Sequence, residues 1–158
     1  LKPNSPNLFR LRLDTPGDAT LLLETPMAKL PSDWSRDERE LIFSALNPAT
    51  GWDILSWPSG GGPPRPLVAT RAEERNGKIS PDGRWLAYVS NETGRDEIYV
   101  RPFPATDSGK WQVSTNGGQA PLWAHSGREL FFVDGERNMV VAPVQGGAAL
   151  QFGARRIL

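Results

Sequence analysis

His125 is the only histidine among 158 residues, and no cysteine accompanies it. General-base chemistry near neutral pH would therefore rest on one imidazole with a serine held beside it on a sharp turn. No G-x-S-x-G elbow holds such a serine. His125 also lies in a turn whose two sister segments carry Arg36 and Pro81 at the same place, the pattern of a solvent-facing turn residue. The absence of thiols removes thiolate nucleophiles, disulfides and zinc-thiolate sites. Ser59-Gly60-Gly61-Gly62-Pro63-Pro64 has the glycine density of a phosphate cradle, but it lacks the following Lys-Ser/Thr and the strand-to-helix context that aim backbone N–H groups at a phosphate. It reads as a hairpin loop. The carboxylates Asp37, Asp82, Asp96 and Glu97 are dispersed and recur with a period, which suits turn capping better than a metal cluster. The sequence predicts no catalytic residue, no metal site and no cofactor.

Bulk properties narrow the field further. The 18 basic and 18 acidic residues balance, so no global field draws the chain toward nucleic acid or anionic lipid, and partners must be recognised locally. No apolar stretch approaches the ~20 residues that span a bilayer, so no direct membrane insertion is expected in this segment. The first residues, Leu1-Lys2-Pro3-Asn4, resemble neither a signal peptide nor an initiator start and read as a cut through a longer polypeptide.

The elements that must position any site are short strands. Gly 16 and Pro 15 are spread along the whole chain, and between them lie runs such as Leu86-Ala87-Tyr88-Val89, Glu97-Ile98-Tyr99-Val100 and Leu130-Phe131-Phe132-Val133, which read as strands. Ser35 to Glu40 favours helix by propensity. It aligns, however, with turns elsewhere: the segments beginning Trp34-Ser35-Arg36-Asp37, Ile79-Ser80-Pro81-Asp82 and Trp123-Ala124-His125-Ser126 match one another and stand 45 and 44 residues apart. That interval lies within the ~40–50 residues of a propeller blade. Repetition therefore overrides propensity, and each unit is predicted to hold four strands. Asp37, Asp82 and Gly83, and Ser126 and Gly127, form the tight turn between the first two strands, glycine supplying a positive φ. The second strand is apolar at both parities, as it must be when neighbours cover both faces of a sheet. Gly51-Trp52-Asp53 contains a Trp-Asp dipeptide, but it enters a third strand and has no Gly-His pair upstream, so Trp52 reads as packing.

Ser80-Pro81-Asp82-Gly83-Arg84-Trp85-Leu86-Ala87-Tyr88-Val89 with Gly94-Arg95-Asp96-Glu97-Ile98-Tyr99-Val100-Arg101-Pro102-Phe103-Pro104 resembles the WD-like repeat of TolB-like bacterial β-propellers. The continuation through Trp111-Gln112-Val113-Ser114 and Gly127-Arg128-Glu129-Leu130 is similar to propellers at the carboxyl end of bacterial membrane-anchored serine/threonine kinases. The resemblance covers Ser32 to Leu158 and, weakly, Pro6 to Glu24. It implies a non-enzymatic module that binds a protein, peptide or envelope ligand, with an extracytoplasmic location. The alternative is a propeller fragment of a prolyl-oligopeptidase-type serine hydrolase whose catalytic domain lies outside this chain.

The expected architecture is all-β: a partial propeller of about three four-stranded antiparallel blades over 31–75, 76–118 and 119–158, preceded by the outer half of a blade over 1–30. Strand alternation collects the loops near 47–51, 70–77, 91–95, 116–120 and 134–137 on one face, and loops on a rigid scaffold suit recognition. Arg71, Glu73, Glu74, Arg75, Arg95, Asp96, Asn116 and Gln119 are the candidate binding residues there. Three blades and a half do not close a ring of four to eight. Apolar faces at Phe9, Leu11, Leu13, Phe131 and Val140 are then expected to be covered by missing blades of the parent chain or by a second copy.

Overall fold

The computed structural model describes residues 7–14, 17–145 and 150–158. The start Leu1-Lys2-Pro3-Asn4, and Pro6 with it, lie outside the described residues. Strands are β1 (Leu8–Arg10), β2 (Thr20–Leu23), β3 (Lys29–Trp34), β4 (Glu40–Asn47), β5 (Gly51–Pro58), β6 (Arg65–Val68), β7 (Glu74–Ile79), β8 (Trp85–Ser90), β9 (Glu97–Pro102), β10 (Trp111–Gln112), β11 (Gln119–Trp123), β12 (Glu129–Val133), β13 (Met139–Gln145), β14 (Gln151–Phe152) and β15 (Arg156–Ile157). The only helical element among the described residues is one 3₁₀ turn over Thr106–Ser108.

The strands form antiparallel sheets in sequence order: β1-β2, then β3-β4-β5-β6, then β7-β8-β9-β10, then β11-β12-β13 with β14 and β15 both on β13. In the last sheet the fourth position is divided, β14 pairing Val144 and Gln145 and β15 pairing Val140 and Val141. Two strands start earlier than the 30/31 and 75/76 divisions read from the sequence. Lys29 pairs with Ala45, and Glu74 with Ser90. Both are charged, Lys29 read within the preceding half blade and Glu74 as a loop-face residue, yet each is buried. The strand start at Glu74 is further disguised by a bulge, with Asn76 at φ 56°.

The alternating faces of the second strands hold the array together. Ile42 of β4 with Leu86 and Tyr88 of β8 form the core between the first two four-stranded sheets, while Ala87 and Val89 of β8 join Leu130 and Phe132 of β12 in the next core. Leu41 and Phe43 of β4 pack on Leu8 and Leu23 of the β1-β2 pair. β4 and β8 are thus buried and apolar on both faces because a sheet lies on each side, whereas β12 buries only Leu130 and Phe132. Gly77 allows β7 to approach closely, since a Cβ there would stand 3.1–3.3 Å from Ile42, Ile54 and Leu86.

Polar links at intervals of one blade repeat between the first strands. The Ile79 N–H donates to Asp33 Oδ2 at 2.7 Å, Lys78 Nζ donates to the Ser32 carbonyl, and Trp123 Nε1 donates to the Lys78 carbonyl at 3.0 Å. Phe9, Leu11 and Leu13 are exposed as expected at one end of the array. Val140 is not: it is 5 % exposed and belongs to the core shared with β8. Its neighbour Phe131, one parity removed, lies on the outer face and is half-buried.

Candidate functional site

The structure sorts the connections onto two faces. On one, two of the three turns joining first and second strands share a single chemistry. Ser80 Oγ accepts from the Trp85 N–H at 3.0 Å and donates to Asp82 Oδ1, which also accepts from the Arg84 N–H at 3.1 Å. Ser35 and Asp37 do the same for Glu40 and Arg39 at 2.9 and 3.2 Å. The hydrogen bond from Ser35 holds the Asp37 carboxyl below its ordinary range. In the third turn Ala124 replaces the serine and Ser126 Oγ alone accepts from the Arg128 N–H, at 3.3 Å. His125 is exposed there. Gly83 and Gly127 adopt φ 72° and 68°.

The other face links four of the eight candidate binding residues, Glu73, Arg75, Asp96 and Gln119, in one network. The Arg75 guanidinium donates to Asp96 Oδ1 at 2.8 Å, and Gln119 Nε2 donates to Asp96 Oδ2 at 3.2 Å, so Asp96 joins loops from two sheets. Glu73 is 3.8 Å from Arg75, and its N–H donates to Asn91 Oδ1 at 2.9 Å. Arg95 pairs with the buried Glu97 at 2.9 Å and donates to the Thr115 carbonyl at 2.8 Å. The Asn116 carbonyl accepts from the Gly135 N–H at 3.0 Å. Depressions on this face are lined by Arg95, Asn116, Gln119, Glu136 and Arg137 on one side and by Arg71, Asn91 and Glu92 on the other. Among the described residues, the guanidinium groups of Arg71 and Arg137 have no hydrogen-bond or ion-pair partner, and both residues are exposed.

Glu74 departs from the expected role. It is 1 % exposed, and its carboxylate accepts from the Thr70 hydroxyl and from the Thr70 N–H, so it anchors the loop from beneath instead of facing a ligand. Burial pushes its pKa up, an effect that Thr70 opposes and Asp53 reinforces. Its counterparts one repeat away are Lys29, whose Nζ donates to the Thr25 and Met27 carbonyls at 3.0 and 2.8 Å, and the buried Gly118. Three unlike residues therefore fill one buried position. Sequence reading missed Glu97 as the anchor of Arg95, and Arg137 as an exposed cation. The signal for Glu97 was its start-of-strand position one repeat after Asp53, which is itself buried and accepts from Asn47 and Thr50 at 3.0 and 2.8 Å.

Four-stranded antiparallel sheets stacked face to face, with first strands linked to first strands, define a partial β-propeller. Its fold is TolB-like. A putative TolB from Agrobacterium tumefaciens matches with a TM-score of 0.74 at 19% identity over 97% of this chain and 58% of that one. TolB from Acinetobacter baumannii matches with a TM-score of 0.72 at 17% identity over 99% of this chain and 38% of that one. The chain thus spans 58% and 38% of the lengths of these two structures. No family model and no curated protein matches the sequence.

Proposed function

We propose that this chain is a non-enzymatic recognition module that binds a protein or peptide through the loop face, as the sensor or interaction part of a larger bacterial protein such as a receptor-type kinase. The observation that carries the reading is the contrast between the two faces. Two of the three turns on the turn face repeat one self-capping Ser-x-Asp motif. The loop face differs from blade to blade, is braced from below by Glu74 and Glu97, and leaves Arg71 and Arg137 free to pair with a ligand. Braced backbone with free cations is pre-organised for an acidic or carbonyl-rich segment, because little ordering remains to oppose binding.

The test is to select peptides from a random phage-displayed library on the immobilised chain and measure their affinity by calorimetry. Arg71→Glu with Arg137→Glu is expected to weaken the selected peptides by more than about tenfold, the scale of one lost charge-assisted contact, and Arg128→Glu on the turn face to leave them unchanged. Peptides indifferent to the loop-face reversal would contradict the proposal.

A further inference from the structure

A cleft of about 580 Å³ opens on the loop face between the sheet of β7 to β10 and the sheet of β11 to β15, lined by Arg95, Asp96, Asn116, Gln119, Glu136 and Arg137. Backbone fixes its walls. The Gly135 N–H donates to the Asn116 carbonyl at 3.0 Å, and a Cβ at Gly117 would stand 2.8 Å from Gly135 Cα, so the 116–118 and 134–136 loops lie against each other with no room for a side chain between them. Arg95 is clamped in this cleft at two points. Its Nε faces Oε1 of the buried Glu97 at 2.9 Å, and its Nη2 donates to the Thr115 carbonyl at 2.8 Å. Glu97 is itself held, since Oε1 also accepts from the Gly117 N–H at 3.1 Å and Oε2 accepts from the Ser114 hydroxyl. A planar guanidinium fastened along one edge presents its other edge in a fixed direction. Nη1 of Arg95 has no partner among the described residues, and the side chain is 59% exposed.

We infer that Arg95 and Arg137 form a subsite for a single carboxylate of a peptide ligand, with the exposed Asn116 amide as a further donor. The inference rests on the loop face being the recognition surface and names the group that this surface takes. Charges already present select the ligand. Asp96 is occupied by Arg75 at 2.8 Å and Gln119 at 3.2 Å, and Asp134 accepts from the Glu136 and Asn138 N–H groups at 2.9 and 2.8 Å, so neither carboxylate claims Arg95 or Arg137. Glu136 makes only a 3.5 Å contact with the Asn138 amide and leaves a negative charge on the lining. A doubly charged phosphate would be repelled there, whereas one flat carboxylate matches the open edge of the guanidinium. A peptide offers that group at its carboxyl end or on an aspartate or glutamate side chain.

The probes are three N-acetylated tripeptides titrated into the nitrogen-15-labelled chain and followed by its amide spectrum: Gly-Ala-Gly with a free carboxyl end, Gly-Asp-Gly amidated at that end, and Gly-Ala-Gly amidated. Saturable shifts at residues 95–97, 116–119 and 136–137 are expected from a carboxylate-bearing peptide with a Kd of about 1–10 mM. The tighter of the two acids identifies the source as the terminus or the side chain. The neutral peptide is expected to give none. Arg95→Lys, which keeps the charge and loses the fork, is expected to weaken binding about three- to tenfold, and Arg95→Gln or Arg137→Gln by about tenfold or more. Arg128→Gln on the turn face is expected to change nothing. Saturation by neither acid, equal binding of the neutral peptide, shifts confined to other residues, or undiminished binding by both Arg95 variants would each overturn the inference. These probes are read whether or not a library peptide is found, so the subsite can fail while the loop-face reading stands, and the reverse.

Discussion

Three turns share one left-handed backbone position, and only two of them fill it with glycine. Gly83 and Gly127 sit at φ 72° and 68°, whereas the first turn places Glu38 at φ 57°. A side chain there meets the following carbonyl, so Glu38→Gly is expected to raise stability by about 0.5–1 kcal/mol. The converse change, Gly83→Val, is expected to cost about 1–3 kcal/mol. A Cβ at Gly83 has no neighbour within 4 Å, so that cost is one of backbone strain alone. Urea midpoints of the two variants check both. Glu74 gives a pH signature. Its folded pKa lies above the ordinary glutamate value, so the folded state holds its proton more tightly than the unfolded state, and stability from this group is lost as pH rises through the raised value. Glu74→Gln is expected to match the wild type at the acid end of that window and to be the more stable form above it. Thermal midpoints taken at intervals from pH 4 to pH 7 would show the two curves diverging upward.

At the scale of elements, the turns were legible and the strand starts were not, for one reason. A turn needs particular residue types, so Ser80-Pro81-Asp82-Gly83 announces itself and its period locates the others. Even Ser35 to Glu40, helical by propensity, obeys the repeat. A strand start needs only pairing, and Lys29, Glu74 and Gln119 meet that need with three chemically unrelated side chains. The same lack of a residue-type signature hid the network joining Asp96 to Arg75 and Gln119, which depends on which sheets are adjacent. The links between first strands carry a prediction at this scale. Asp33→Ala would leave the Ile79 N–H without its acceptor and is expected to destabilise by about 1–3 kcal/mol. Asp107→Ala, in the exposed 3₁₀ turn, should change the urea midpoint little. Equal shifts for the two would remove Asp33 as a link between blades.

For the whole molecule, the fold follows from second strands that are apolar on both faces, because such strands are stable only between two neighbours. That pattern, with the 44- and 45-residue spacing, carried the architecture from sequence to structure. The candidate site carried less well: Arg75, Arg95, Asp96, Asn116 and Gln119 come together, while Glu74 turns inward. The division of labour between the faces is the central claim, and hydrogen–deuterium exchange on the chain with a library-selected peptide tests it most directly. The account predicts slowed exchange at 70–77, 91–96, 116–120 and 134–138, with the turns at 35–39, 80–84 and 124–128 unchanged. Protection confined to those turns, or spread equally over both faces, would contradict it.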